Sequence, residues 1–144
     1  MKTGIYLEVD SRSTTMSMKK YGYILECNIG GKPALKEGFG RMEGTYNCVT
    51  LEALIVALMR FNRPAEICVH TENNNVCTTL TRDLQRWGES GFITNKGMPV
   101  KNLKLWQKVW NLIQGHEITA KQGEHRFSGK LREDLSRTVG DIHV

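Results

Sequence analysis

The chain has 144 residues, 40% of them hydrophobic and 24% charged, the balance of one soluble globular domain rather than a disordered or fibrous chain. Its longest apolar run, residues 53–59, falls far short of the roughly 20 residues that cross a bilayer, and no apolar leader opens the chain, so no membrane partner and a cytoplasmic location are expected. The net charge is +5, and all of the excess lies between Lys96 and Arg137, where nine Lys or Arg meet four acids; this suggests a polyanionic partner or, alternatively, a solvated helix face.

In chain order, residues 3–9 alternate as a half-buried strand that delivers Asp10 at its end. Residues 21–29 read as a second strand, Gly30-Gly31-Lys32 as a hairpin turn and residues 34–42 as a third strand. The period then changes. Leu51, Leu54, Ile55, Leu58 and Phe61 recur at helical spacing until Asn62-Arg63-Pro64 ends the pattern. Residues 66–71 form a short apolar strand ending at Glu72, which puts a second acid on a strand tip. Val76, Leu80 and Leu84 mark a helix, residues 88–98 a glycine-containing loop, and Leu103, Leu105, Trp106, Val109, Trp110 and Ile113 a further helix with Pro99 in its first turn. Residues 117–120 give a brief last strand and residues 127–139 a last helix with Leu131 and Leu135 inward. Trp106 and Trp110 share helical spacing with Leu103 and Ile113, which favours core packing over a stacking surface. Cys27, Cys48, Cys68 and Cys77 show no CxxC pair, so reduced thiols are expected.

Three sequential strands followed by helix, strand, helices, strand and helix imply a mixed α/β sheet with helices packed on it. Crossover connections would set the carboxyl ends of the first and fourth strands side by side. Asp10 and Glu72 are then expected to be neighbours.

That element order, with an acid on each tip, resembles type I ribonuclease H. The likeness runs over residues 4–139 and is carried by LEALIVAL at 51–58, HTENNNV at 70–76, RWGESGF at 86–92 and PVKNLKLWQKV at 99–109. The resemblance implies one domain over residues 1–144 with a short carboxyl-terminal tail. It further implies a five-stranded mixed sheet in the order 3-2-1-4-5 with helices on both faces. Members of that family cut the RNA strand of RNA/DNA hybrids with four carboxylates that hold two magnesium ions.

Matched residue by residue, Asp10 stands at the family's first acid, Thr50 at its helix Glu, Glu72 at its second strand-end Asp and Glu133 at its last Asp. His125 resembles in placement the family's mobile histidine, or is an ordinary loop residue. Asp10, Glu72 and Glu133 are thus the implied ligands of magnesium or manganese. Thr50 removes one charge, and the two Glu residues carry their carboxylates one methylene further out. Magnesium demands near-ideal octahedral oxygen geometry, so weak metal use and weak or absent nuclease activity are expected. Glu52, two positions along the helix from Thr50, points to another face unless a local shift returns it. Asp134 is expected to face away.

Binding positions are better kept. Asn47 and Asn74 match residues that touch the RNA strand in the minor groove, although Asn47 could equally cap a helix. Thr45, Lys101 and Asn102 match phosphate-contacting positions, and Lys96 and Lys104 add to the field. Glu89 weakens the protrusion's charge. The resulting expectation is a monomeric binder of RNA/DNA hybrid or duplex; a working hybrid endonuclease and a protein-interaction scaffold are the alternatives.

Overall fold

The computed structural model describes residues 1–137. Five strands, β1 (Lys2–Val9), β2 (Ser17–Ile29), β3 (Lys32–Gly44), β4 (Glu66–Thr71) and β5 (Glu117–Gln122), form one sheet in the order β3-β2-β1-β4-β5. The hairpins β1-β2 and β2-β3 are antiparallel, while β4 and β5 add in parallel. Helices α1 (Tyr46–Leu58), α2 (Asn74–Thr78), α3 (Leu84–Ser90), α4 (Leu103–Ile113) and α5 (Ser128–Arg137) complete the fold, with a π-helical turn at Thr79–Asp83 between α2 and α3. The architecture expected from the element order is the one observed.

Strand alternation divides the core between the two sheet faces. Ile5, Leu7 and Val9 of β1, Tyr21, Tyr23 and Leu25 of β2, and Ile67 and Val69 of β4 pack against α1 and α4. Tyr6 and Ile24 point the other way and receive Leu131 of α5, flanked by Phe39 and Phe127. Helices thus cover both faces. Trp106 is 2% exposed and meets Trp87 edge to face, so these indoles belong to the core.

Several elements exceed their expected bounds, each for a local reason. The hairpin turn is Gly30-Gly31 alone, both at positive φ (+59° and +82°), which leaves Lys32 free to start β3. The β2 strand begins at Ser17 because Lys19, fully buried, donates its ammonium to Thr15 O and Ser17 Oγ at 2.8 Å and to Gly44 O at 2.5 Å. A lysine reads as an exposed residue in a sequence; here two backbone carbonyls and a serine hydroxyl satisfy it. The first helix starts at Tyr46 because Thr45 caps it, its hydroxyl accepting from Cys48 N at 3.2 Å. The helical stretch after β4 runs on to Ser90 and ends at Gly91, whose φ of +81° closes it. Thr138 and Val139, expected to end the last helix, and the tail after them lie outside the described residues.

Candidate functional site

The parallel register pairs Tyr6 with His70, so the two strand ends continue to Glu8 beside Glu72. Asp10 lies two residues further along the chain and is exposed. Its carboxylate accepts from Lys20 N at 3.0 Å, while its own N–H donates to Lys20 O at 3.0 Å, so it closes the mouth of the β1-β2 connection. Glu8, two residues before Asp10, is thus the acid that the register sets directly beside Glu72.

These two carboxylates lie under guanidinium groups. Arg132 of α5 donates from Nη2 to Glu72 Oε1 and Oε2 at 2.7 and 2.8 Å and from Nη1 to Glu124 Oε1 at 2.9 Å. Its Nε sits 3.3 Å from Glu8 Oε2. Arg12, from the connection between β1 and β2, pairs with Glu72 Oε2. The side chains of Glu8 and Glu72 are 7% and 8% exposed, against 61% for Arg12 and 44% for Arg132.

The electrostatic consequences differ for the two acids. Burial, reinforced by the nearby charge of Glu72, raises the Glu8 carboxyl to about 7, and Arg132 offsets only part of this. Burial also acts to raise Glu72, but the hydrogen bonds from Arg132 and Arg12 outweigh it and hold that carboxyl below its ordinary value. Glu72 is therefore the charged member of the pair, and Glu8 is close to half neutral at physiological pH.

Sequence alignment puts Glu133 at the family's last acid, yet the side chain that α5 delivers to the strand tips is Arg132. Leu131 and Leu135 are buried and fix the helix rotation. Glu133 then turns outward, 61% exposed, and pairs with Arg137, while Asp134 pairs with Lys130 at 2.7 Å. Glu52 exerts its charge on Tyr21 rather than on the tip acids.

Thr50 is 1% exposed. Its hydroxyl donates to Tyr46 O at 2.8 Å and accepts from Asn73 Nδ2 at 3.0 Å. Asn73 was not singled out from the sequence, yet it is 2% exposed and organises this corner. It also donates to Asn47 Oδ1 at 3.0 Å and caps α2 by accepting from Val76 N at 3.0 Å. An N-cap pattern was the available signal, hidden in a run of three asparagines. The corner is a closed neutral network, with no carboxylate in it.

His125 is half-buried. Its Nδ1 accepts from Phe127 N at 3.2 Å, which leaves Nε2 to donate to Leu7 O at 2.9 Å. Burial lowers its pKa, and Tyr6 packs against it with ring centroids 5.2 Å apart. The histidine knits the β5-α5 loop to β1.

Among the binding positions, Thr45 is the α1 cap and Asn47 lies beside Asn73. Asn74 is exposed and accepts from Thr78 Oγ1 at 3.4 Å. Asn102, at φ +58°, opens α4 and accepts from Cys48 Sγ at 3.0 Å. Lys96, Lys101 and Lys104 are exposed. Of the nine basic residues in the carboxyl-terminal third, Arg126, Lys130, Arg132 and Arg137 are spent on ion pairs. The outward field there comes from Lys96, Lys101, Lys104 and Lys108 on and around α4 and from Lys121 on β5.

These residues do not fit a pair of magnesium ions. Both Glu72 oxygens already accept from guanidinium groups, Glu8 is partly neutral, and Thr50 contributes no charge. Among the described residues no three His, Cys, Asp or Glu side chains converge in a way that could hold a metal ion. The altered set is consistent with weak or absent metal use and nuclease activity.

Residues 5–122 match the family model for RNase H. A ribonuclease H of Alcanivorax borkumensis is 37% identical over 108 residues, 73% of this chain and 72% of its own length. A ribonuclease H of Campylobacter curvus is 32% identical over 100 residues, 69% of this chain but 65% of the relative. The solved structure of LC9-RNase H1, "a type 1 RNase H with the type 2 active-site motif", superposes over 96% of this chain and 72% of that one with a TM-score of 0.74 at 17% identity, a likeness of fold. The chain therefore belongs to the ribonuclease H family, a family of nucleic-acid-binding fold, with an altered acidic site.

Proposed function

We propose that the protein binds RNA/DNA hybrid or duplex nucleic acid as a monomer and cleaves it weakly or not at all. The observation that carries this reading is the seating of Arg12 and Arg132 on the buried Glu72 carboxylate, where the resemblance calls for metal ligands. The exposed lysines Lys96, Lys101 and Lys104 support the binding half, since phosphate contacts reward such donors whatever the base sequence.

The test is a labelled RNA/DNA hybrid incubated with the purified chain in magnesium or manganese, beside binding measured at several salt concentrations. The expected result is binding that weakens steeply as salt rises, because phosphate contacts release counterions, with little or no cut RNA. Cleavage at a rate typical of ordinary ribonucleases H, abolished by Glu72→Gln, would overturn the proposal. Absence of hybrid binding even at low salt would leave a protein-interaction scaffold as the reading.

A further inference from the structure

We infer that Arg12 and Arg132 are built-in counter-ions for Glu8 and Glu72, so that a nucleic-acid backbone passes over these strand tips without any divalent cation. The inference rests on the nucleic-acid-binding reading above and names how that same site meets phosphate.

The layering of the site is the first argument. The Glu8 and Glu72 carboxylates are almost fully covered; Arg132, held on Glu72, Glu8 and the exposed Glu124, neutralises them from above, and Arg12, 61% exposed, is the cation that an approaching phosphate meets. In a site built of bare carboxylates the order is reversed, and phosphate is repelled until metal ions intervene. Arg12 is tied to Glu72 through one terminal nitrogen, Nη2, which leaves the rest of its planar fork to donate to a phosphate oxygen.

The two arginines are also held from independent sides. The segment carrying Arg12 is anchored where Ser13 O accepts from Tyr46 N at 3.0 Å and Thr15 O accepts from the buried Lys19 ammonium at 2.8 Å. Arg132 is fixed by the burial of Leu131 and Leu135 on either side of it. Gln122 Nε2, at the end of β5, donates to Glu72 O at 3.2 Å and holds the acid's backbone in place. A divalent cation entering this site would have to displace preorganised guanidinium groups from both Glu72 oxygens.

The experiment measures two quantities on the full chain: anisotropy of a fluorescent RNA/DNA hybrid at low salt, in EDTA and in magnesium, and manganese uptake by electron paramagnetic resonance. The wild type is expected to bind hybrid within about twofold in the two buffers and to take up no manganese. Arg12→Gln/Arg132→Gln is expected to weaken hybrid binding about tenfold in EDTA, to regain much of it in magnesium and to acquire a manganese site that Glu72→Gln abolishes. Because Arg12 is the more exposed of the two, Arg12→Gln alone serves if the double variant does not fold, and the same changes are expected at smaller size. Hybrid binding by the wild type that rises about tenfold or more with magnesium overturns the inference, as does wild-type manganese uptake lost in Glu72→Gln. A folded double variant that gains no manganese site overturns it as well. If no hybrid binds in either buffer, the binding proposal fails, and the manganese measurement alone decides for or against the counter-ion role.

Discussion

Glu8 is a buried acid whose partner charges are both attractive and repulsive, and its balance sets a pH dependence. Its carboxyl rises from 4.5 to about 7 on folding, chiefly through burial. Below 4.5 it is neutral folded and unfolded and costs nothing; between 4.5 and 7 the unfolded chain loses its proton first, and stability falls; above 7 the cost is constant. The Glu8→Gln variant escapes that loss. It is expected to match the wild type near pH 4 and to exceed it by on the order of 3 kcal/mol at pH 8, since one pKa unit is about 1.4 kcal/mol. Urea titrations at the two pH values measure the difference, and a wild type as stable as the variant at pH 8 would contradict the assignment. Glu72 acts with the opposite sign: its lowered pKa contributes stability above the ordinary carboxylate range that is lost as pH falls through the folded value.

The same residue shows what a sequence does and does not disclose. Ile5, Leu7 and Val9 face the core whether the strand tip is taken at Glu8 or at Asp10, because a two-residue slide preserves the alternation. The string around Asp10 looks like the family's, and only the pairing of Tyr6 with His70 reveals that Glu8 reaches the tip beside Glu72. Face is legible from period two; register along that face is not.

At the scale of elements, α5 poses the equivalent problem for a helix. Leu131 and Leu135 announce a buried stripe four residues apart, and this was readable. At about 100° per residue, Arg132 and Asp134 flank that stripe on opposite sides and Glu133 points away from it, so which flank reaches the strand tips depends on the side from which α5 crosses the sheet. That crossing is fixed by Tyr6, Ile24 and Phe39 of three strands and by Phe127 of the loop before α5. Leu131→Ala should cost about 2–5 kcal/mol in chemical denaturation through the lost burial and the cavity left behind. It should also loosen Arg132. A loss under about 1 kcal/mol would mean that α5 is not seated as described.

Across the whole molecule, the succession of elements made a mixed sheet legible, because short hairpins pair neighbours and helical crossovers add strands in parallel, and the family resemblance supplied the order 3-2-1-4-5 that is observed. Charge distribution was legible only in part. The excess does lie in the carboxyl-terminal third, but pairing of Arg126, Lys130, Arg132 and Arg137 with acids leaves as its outward source the lysines on and around α4, with Lys121 on β5. Lys101→Ala and Lys104→Ala should therefore weaken hybrid binding evenly across base sequences and each lower the logarithmic salt slope by about 1. An unchanged slope in both variants would place the polyanion elsewhere. Lys130→Ala, already neutralised by Asp134 and Glu37, is expected to leave the slope alone.

Lys19 carries one more consequence. An amine enclosed by three oxygens and shielded from solvent is out of reach of acylating reagents while the sheet is intact, although every other lysine has at least some accessible surface. In a timed labelling series read by peptide mass, Lys19 should be the last to react, at a rate that tracks opening of the β2-β3 ladder rather than reagent chemistry. That one side chain would act as an internal clock for unfolding, with no added probe.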